Sequence, residues 1–220
     1  MYYLYSNTNI MIKVVCFDIG GTLIPLSSPS FIDSLASLIN HPSMGLEAKL
    51  IQYFGIQKGD IESFCKDLNI LNKKSIIENF INNYKPLQEV FDDVLPTLQH
   101  LYKQNYILAT LSNAISIEPS SLEFCELSNY FSYKIYSYDC GFNKPSKEIY
   151  CLLENMLHIS SNQILYVSNS LLDILGAYRK GWYCILITRE NKIPFSYDSN
   201  KPRLFFINHL KMVLEIIETI

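Results

Sequence analysis

Four short stretches of the chain carry residues able to do chemistry, and each directly follows an apolar run. Asp18 ends the run IKVVCF at 12–17 and is followed by Gly20, Gly21 and Thr22. Ser112 and Asn113 close YILATLS at 106–112, Lys144 lies in GFNKP at 141–145, and Ser168, Asn169 and Asp173 follow QILYVS at 163–168. Together these supply a carboxylate, small hydroxyl and amide groups, one ammonium and a second carboxylate. That inventory suits phosphoryl transfer. An aspartate can attack phosphorus and carry the phosphoryl group as an aspartyl-phosphate. Two carboxylates can hold Mg²⁺. A hydroxyl and an ammonium can bind phosphoryl oxygens as charge develops on them.

For these residues to meet, the runs before them must lie side by side and point the same way. The pattern from residue 88 onward predicts that arrangement. Helices over roughly 92–103, 147–157, 171–181 and 208–219 alternate with strands at 106–112, 133–139, 163–168, 183–188 and 203–207. Such alternation is the mark of a parallel, doubly wound sheet, whose ligands sit beyond the carboxyl ends of the strands where strand order reverses. Residues 28–84 differ. Apolar residues recur there at helical spacing (Phe31, Leu35, Leu38; Leu46, Leu50, Phe54; Ile61, Phe64, Leu68; Ile76, Ile77, Phe80, Ile81), which predicts about four helices with no strand between them. The expected organisation is an α/β core over 11–26 and 89–220, a small all-α insertion over 27–88, and an N-terminal extension over 1–10. Residues 191–202 read as a surface loop. Because Met11 directly precedes the first strand, the start residue is left open between Met1 and Met11.

Composition narrows the function classes. The chain has 220 residues, a net charge of -3 and 49% hydrophobic residues, enough to bury one sizeable core. It has only three arginines, Arg179, Arg189 and Arg203, and no Lys/Arg-rich run, so no nucleic-acid partner is expected. None of its six cysteines forms a CxxC pair. Cys16 and Cys184 fall inside strand-like runs, which reads as reduced core cysteines in a cytoplasmic protein rather than a zinc site. No apolar stretch is long enough to span a membrane, and residues 1–10 do not read as a signal peptide. His41, His100, His158 and His209 are scattered and are assigned no role.

The four stretches resemble, in order, the motifs of the haloacid dehalogenase-like superfamily. FDIGGTL at 17–23 is similar to its first motif and ATLSNA at 109–114 to its second. GFNKP resembles the third, and ILYVSNSLLDILGAYRKGW at 164–182 the fourth. The resemblance implies a Rossmann-like core with a helical cap after motif one. It also implies roles. Asp18 is the nucleophile and a magnesium ligand, with the carbonyl of Gly20, Asn169 and Asp173 as further ligands. Thr22, Ser112 and Asn113 hold the loop and the phosphoryl oxygens, and Lys144 neutralises charge. The implied reaction is Mg²⁺-dependent hydrolysis of a small phosphorylated metabolite.

Two positions depart from the family pattern. Gly20 stands where an aspartate usually protonates the leaving group and then activates water, a kind of help typically worth about 10²–10⁴-fold. Ser168-Asn169 replaces the usual Gly-Asp and removes one negative ligand. Acyl or other activated phosphates need little leaving-group protonation and would suit such a site. Two alternatives follow from the same departures. One is a catalytically weak or inactive binding protein. The other is a 2-haloacid dehalogenase, in which an aspartate attacks carbon without a metal. The absence of any arginine before Arg179 counts against the dehalogenase, since it leaves no cradle for halide and carboxylate. Oligomeric state is not readable from the sequence.

Overall fold

The structure, a computed structural model, describes residues 11–87, 89–189 and 203–220. The expected extension at 1–10 and the expected loop at 191–202 lie outside the described residues. Six strands form one parallel sheet: β1 (Val14–Phe17), β2 (Ile107–Ser112), β3 (Tyr133–Tyr136), β4 (Ile164–Ser168), β5 (Tyr183–Ile187) and β6 (Leu204–Ile207). Their spatial order is β3-β2-β1-β4-β5-β6. The chain winds outward from β1 first one way and then the other, so the reversal falls at β1. Val14 lies level with Ile107 on one side and Ile164 on the other. This register brings the residues after β1, β2 and β4 to one edge of the sheet.

The strands β1, β4 and β5 are buried on both faces because helices cover both. All four residues of β1 are buried, and alternate ones enter different cores. Val15 and Phe17 pack with Leu98 and Leu101 of α5 (Val94–Lys103) and Val213 of α10 (Met212–Thr219). Val14 and Cys16 pack with Ile149 and Leu153 of α8 (Lys147–Leu157) and Ile174 and Ala177 of α9 (Leu171–Lys180). Full burial of one such side chain contributes about 1.5–3 kcal/mol, so the strand bearing Asp18 is firmly held. Burial pushes the thiols of Cys16 and Cys184 well above their ordinary pKa and keeps them neutral. No disulfide joins the six cysteines.

Between β1 and α5 the chain forms α1 (Phe31–Ile39), α2 (Ser43–Leu50), α3 (Ile61–Asp67) and α4 (Lys74–Asn83), with one π turn over Ile51–Gly55. Ser30 and Asp60 cap α1 and α3 by accepting from the backbone N–H of Asp33 and Ser63. These helices share an apolar cluster of their own around Phe31, Leu35, Leu46, Phe54 and Phe64. It reaches the sheet through Ile115, in the loop after β2. Ser116 N–H donates to the Phe54 carbonyl at 2.8 Å, tying that loop to the helical segment.

Two elements differ from their sequence-based ranges. The strand expected over 133–139 stops at Tyr136 and gives way to a helical turn, α7 (Ser137–Cys140), closed by Gly141 at φ 80. The buried Ser137 hydroxyl bonds both the N–H and the carbonyl of Ala114, and this fastens the loops after β2 and β3 together. The last helix begins at Met212 rather than 208, because Leu210 N–H donates to the carboxylate of Asp93 instead of entering a helix. A short helix, α6 (Ser121–Phe124), lies between β2 and β3.

Candidate functional site

Asp18 leaves β1 with its N–H bonded to the Val167 carbonyl of β4, and only 8% of its surface is exposed. The chain then turns sharply: Thr22, Leu23 and Ile24 all donate backbone bonds to the Ile19 carbonyl. Gly21 permits the turn at φ 72.

Lys144 enters from the loop before α8. Its ammonium lies 2.6 Å from Asp18 Oδ1, 2.8 Å from Asp173 Oδ2 and 3.2 Å from the Tyr166 hydroxyl, so all three of its protons have acceptors. Burial works against its charge, but the two carboxylates more than offset this and hold its pKa above the ordinary lysine value. Lys144 remains an ammonium, and the buried cluster of two carboxylates and one cation carries a net negative charge.

Each partner is fixed in turn. Asp173 sits in the first turn of α9, where Ser170 accepts from its N–H at 3.3 Å and its carbonyl accepts from the Tyr150 hydroxyl at 2.9 Å. Both polar atoms of the Asn113 amide bond the backbone of Lys144, at 2.8 and 3.0 Å. The Thr22 hydroxyl accepts from Asn169 N–H at 3.0 Å and lies 3.4 Å from Asp18 Oδ2 and 3.3 Å from Asn169 Oδ1.

Several of the residues expected from sequence come together. Asp18, Lys144 and Asp173 form one contact group; Thr22 and Asn169 join it from behind; Asn113 holds the lysine loop. Ser112 lines a cavity of about 400 Å³ shared with Gly20. Sequence reasoning assigned no role to Tyr166, Tyr150, Asp93 or Arg189. Tyr166 was findable: two residues before Ser168 on β4, it shares that residue's face. The bond between Arg189 and the motif-one loop had no sequence signal. Arg189 grips both oxygens of the buried Asp93, at 2.7 and 2.8 Å, and donates to the Thr22 carbonyl.

Whether a Mg²⁺ ion suits these residues turns on Thr22. Its single proton faces two acceptor oxygens, Asp18 Oδ2 and Asn169 Oδ1, and can serve only one. When it serves Asn169, only the Ser168 hydroxyl, at a long 3.5 Å, faces Asp18 Oδ2, beside two carboxylates that share one ammonium. A hard cation bound through one or two carboxylates, waters and a substrate phosphate suits this set. Asp18, Asn169 and the Gly20 carbonyl are the donors that fit. Among the described residues no group of three or more His, Cys, Asp or Glu converges, so any such site depends on neutral oxygens and on the substrate.

An α/β chain with a buried carboxylate after its central strand, set against a lysine and a second aspartate, is the arrangement that the comparisons with known proteins address. The haloacid dehalogenase-like hydrolase family matches residues 12–179, and the chain belongs to that family. It is similar to (S)-2-haloacid dehalogenase 4A of Burkholderia cepacia, 26% identical over 124 residues, 56% of this chain and about half (53%) of that relative. It is also similar to the phosphoglycolate phosphatase of Vibrio cholerae, 26% identical over 207 residues, 87% of this chain and 88% of the other. Its fold matches a 2-haloacid dehalogenase from Pseudomonas syringae pv. Tomato DC3000 with a TM-score of 0.70 at 18% identity, covering 95% and 99% of the two chains. A HAD phosphatase from Thermococcus onnurineus matches with a TM-score of 0.62 at 22% identity, covering 94% and 98%. Among the described residues no helix is long and apolar enough to cross a membrane.

Proposed function

We propose that the protein is a Mg²⁺-dependent phosphatase-type hydrolase acting on a small phosphorylated metabolite, with Asp18 as nucleophile. The observation that carries this reading is the charge of the buried group. Asp18 and Asp173 together outweigh Lys144, so a phosphoryl dianion approaching Asp18 needs a further positive charge. Bound Mg²⁺ would supply that charge and polarise a phosphoryl oxygen. Lys144 holds Oδ1 of Asp18 at 2.6 Å and so fixes the orientation of the attacking carboxylate. Ser112 offers a hydroxyl to the phosphoryl oxygens, while Asn113 keeps Lys144 in place. Attack by Asp18 forms the aspartyl-phosphate as the leaving group departs, and water then cleaves it to inorganic phosphate and free Asp18. Gly20 brings no proton for the leaving group, so acyl phosphates are the best substrates. The helices between β1 and α5 act as a cap that selects substrate. Neither nucleic acid nor membrane enters this reading, and the buried free cysteines favour a cytoplasmic location.

Metal-free attack on carbon, as in the dehalogenase relatives, is the second reading. Lys144 favours it, since it touches both carboxylates and the missing acid is irrelevant to a halide leaving group. Against it, two of the three arginines are engaged elsewhere, Arg189 with Asp93 and Arg203 with Gly181 and the Tyr178 ring, and the third, Arg179, is exposed near the C-terminal end of α9. The test is phosphate release from acetyl phosphate and an aryl phosphate, with and without Mg²⁺, in the wild-type and Asp18→Asn proteins. Metal-dependent release lost in the variant supports the phosphatase. Metal-independent halide release from a 2-haloacid supports the second reading. No turnover with retained phosphate binding marks a binding protein.

A further inference from the structure

The cavity shared by Gly20 and Ser112 holds a charged group that the chemistry above does not use. Glu118, in the loop after β2, lines it together with Phe31, Tyr136 and Tyr138. Among the described lining residues it is the one with an ionisable carboxylate or a full charge; no lysine, arginine or histidine faces the space. Lys58 lies over the ring of Tyr138, a lining residue, but is paired with Asp139 at 2.5 Å. The Glu118 carboxylate makes no hydrogen bond or ion pair among the described residues. Burial pushes its pKa up to about 7, the cost of a carboxylate without a partner.

A partly buried charge with no counter-ion inside a ligand-sized cavity selects ligands by charge. A substrate ending in a carboxylate would bring a second negative charge to the same space. A substrate ending in an amine would supply the missing partner. The acids in the relatives' names, phosphoglycolate and the 2-haloacids, are of the disfavoured kind.

We propose that Glu118 is the specificity-determining residue of this cavity and that the substrate is a small phosphorylated amine, whose ammonium pairs with Glu118 while its phosphoryl group lies at the Ile19, Gly20 and Ser112 end of the cavity, next to Asp18 in the chain. This rests on the phosphatase reading for the phosphoryl end, and on the cavity alone for the amine end.

Three probes of equal length separate the two: phosphoethanolamine, 2-hydroxyethyl phosphate and phosphoglycolate. Their dissociation constants are measured by calorimetry on the full chain with Mg²⁺ at pH 8, beside a separate assay of acetyl phosphate hydrolysis. The expected order is amine tighter than hydroxyl, and hydroxyl tighter than carboxylate, by about tenfold a step, or about 1.4 kcal/mol. Glu118→Gln should bring the three together, and Glu118→Lys should reverse the order. Equal binding of the three probes by wild type, tighter binding of phosphoglycolate, or a Glu118→Gln protein that weakens all three alike overturns the inference. If the order holds but acetyl phosphate is not hydrolysed, the phosphatase reading fails and the charge preference stands.

Discussion

A Cβ on Gly21 would stand 2.2 Å from the amide nitrogen of Asn169, closer than any two such atoms approach. The first and fourth motifs are thus packed so closely that a side chain here must displace the Asn169 amide, and the φ of 72 independently disfavours one. Gly21→Ala should push Asn169 away from Thr22 and cost about 1–3 kcal/mol of stability. A thermal melt checks this. Mg²⁺-dependent stabilisation of the wild type should be weakened in the variant if Asn169 is a ligand; an unchanged melting point and metal response would refute the tight junction.

Gly20 is different. Its nearest prospective contact is the Leu26 side chain at 3.2 Å, a flexible end able to give way, and its backbone is not left-handed. Gly20→Asp should therefore fold. It should raise turnover of alkyl phosphates by up to about 10²-fold while changing acyl phosphates little, since only the former need a proton. Equal rates on both classes in both proteins would mean that the missing acid does not limit the reaction.

Lys144→Met leaves Asp18 and Asp173 buried without their shared counter-ion. The expected loss is about 3–5 kcal/mol near neutral pH, with catalysis abolished. Because the pKa of Lys144 is raised in the folded protein, its contribution is fully present below the ordinary lysine range and fades only above it. Wild-type stability should therefore show no Lys144 titration between pH 6 and 9. The variant should be less stable than wild type throughout that range. Denaturant melts across pH test both statements.

Glu118 carries the opposite sign. Its folded carboxyl titrates near 7 against an unfolded value of 4.5. The penalty for ionising it is absent below pH 4.5, builds as pH rises to 7 and is constant above. Glu118→Gln should match wild type at acid pH and exceed it by about 1–2 kcal/mol at pH 8, a range discounted for partial solvent exposure. A variant advantage that does not change with pH would contradict this.

Arg189→Ala removes the partner of the buried Asp93 carboxylate and the donor to the Thr22 carbonyl. We expect about 2–4 kcal/mol of destabilisation and, in the surviving folded protein, a lower kcat with little change in KM. Arg189 acts here by positioning the motif-one loop. A kcat equal to wild type would show that the loop holds without it.

Much of this molecule is legible in its residues alone. Apolar runs of four to six residues, each ending in a polar group, give the strands and the edge at which the chemistry gathers, because a strand buried on both faces must be apolar throughout. Helical spacing over 28–84 gives the four helices between β1 and α5. Local pattern could not show where β3 ends, since its stop depends on Ser137 bonding Ala114 across the sheet edge. The start of the last helix likewise follows from Asp93, more than a hundred residues away.

The sequence by itself determined which groups are present: a carboxylate after the first strand, one lysine, a second aspartate, and no acid at position 20. Covalent order fixes identity and the local period fixes strand or helix, and neither needs the fold. Tertiary structure alone decided the charge balance and the occupancy of each group. It joined Lys144 to both carboxylates, turned Asn113 onto the Lys144 backbone, locked Arg189 onto Asp93 and left Glu118 facing a cavity without a partner. Those outcomes depend on distances of a few ångströms between residues far apart in the chain, and electrostatic energies follow such distances and burial, not sequence order.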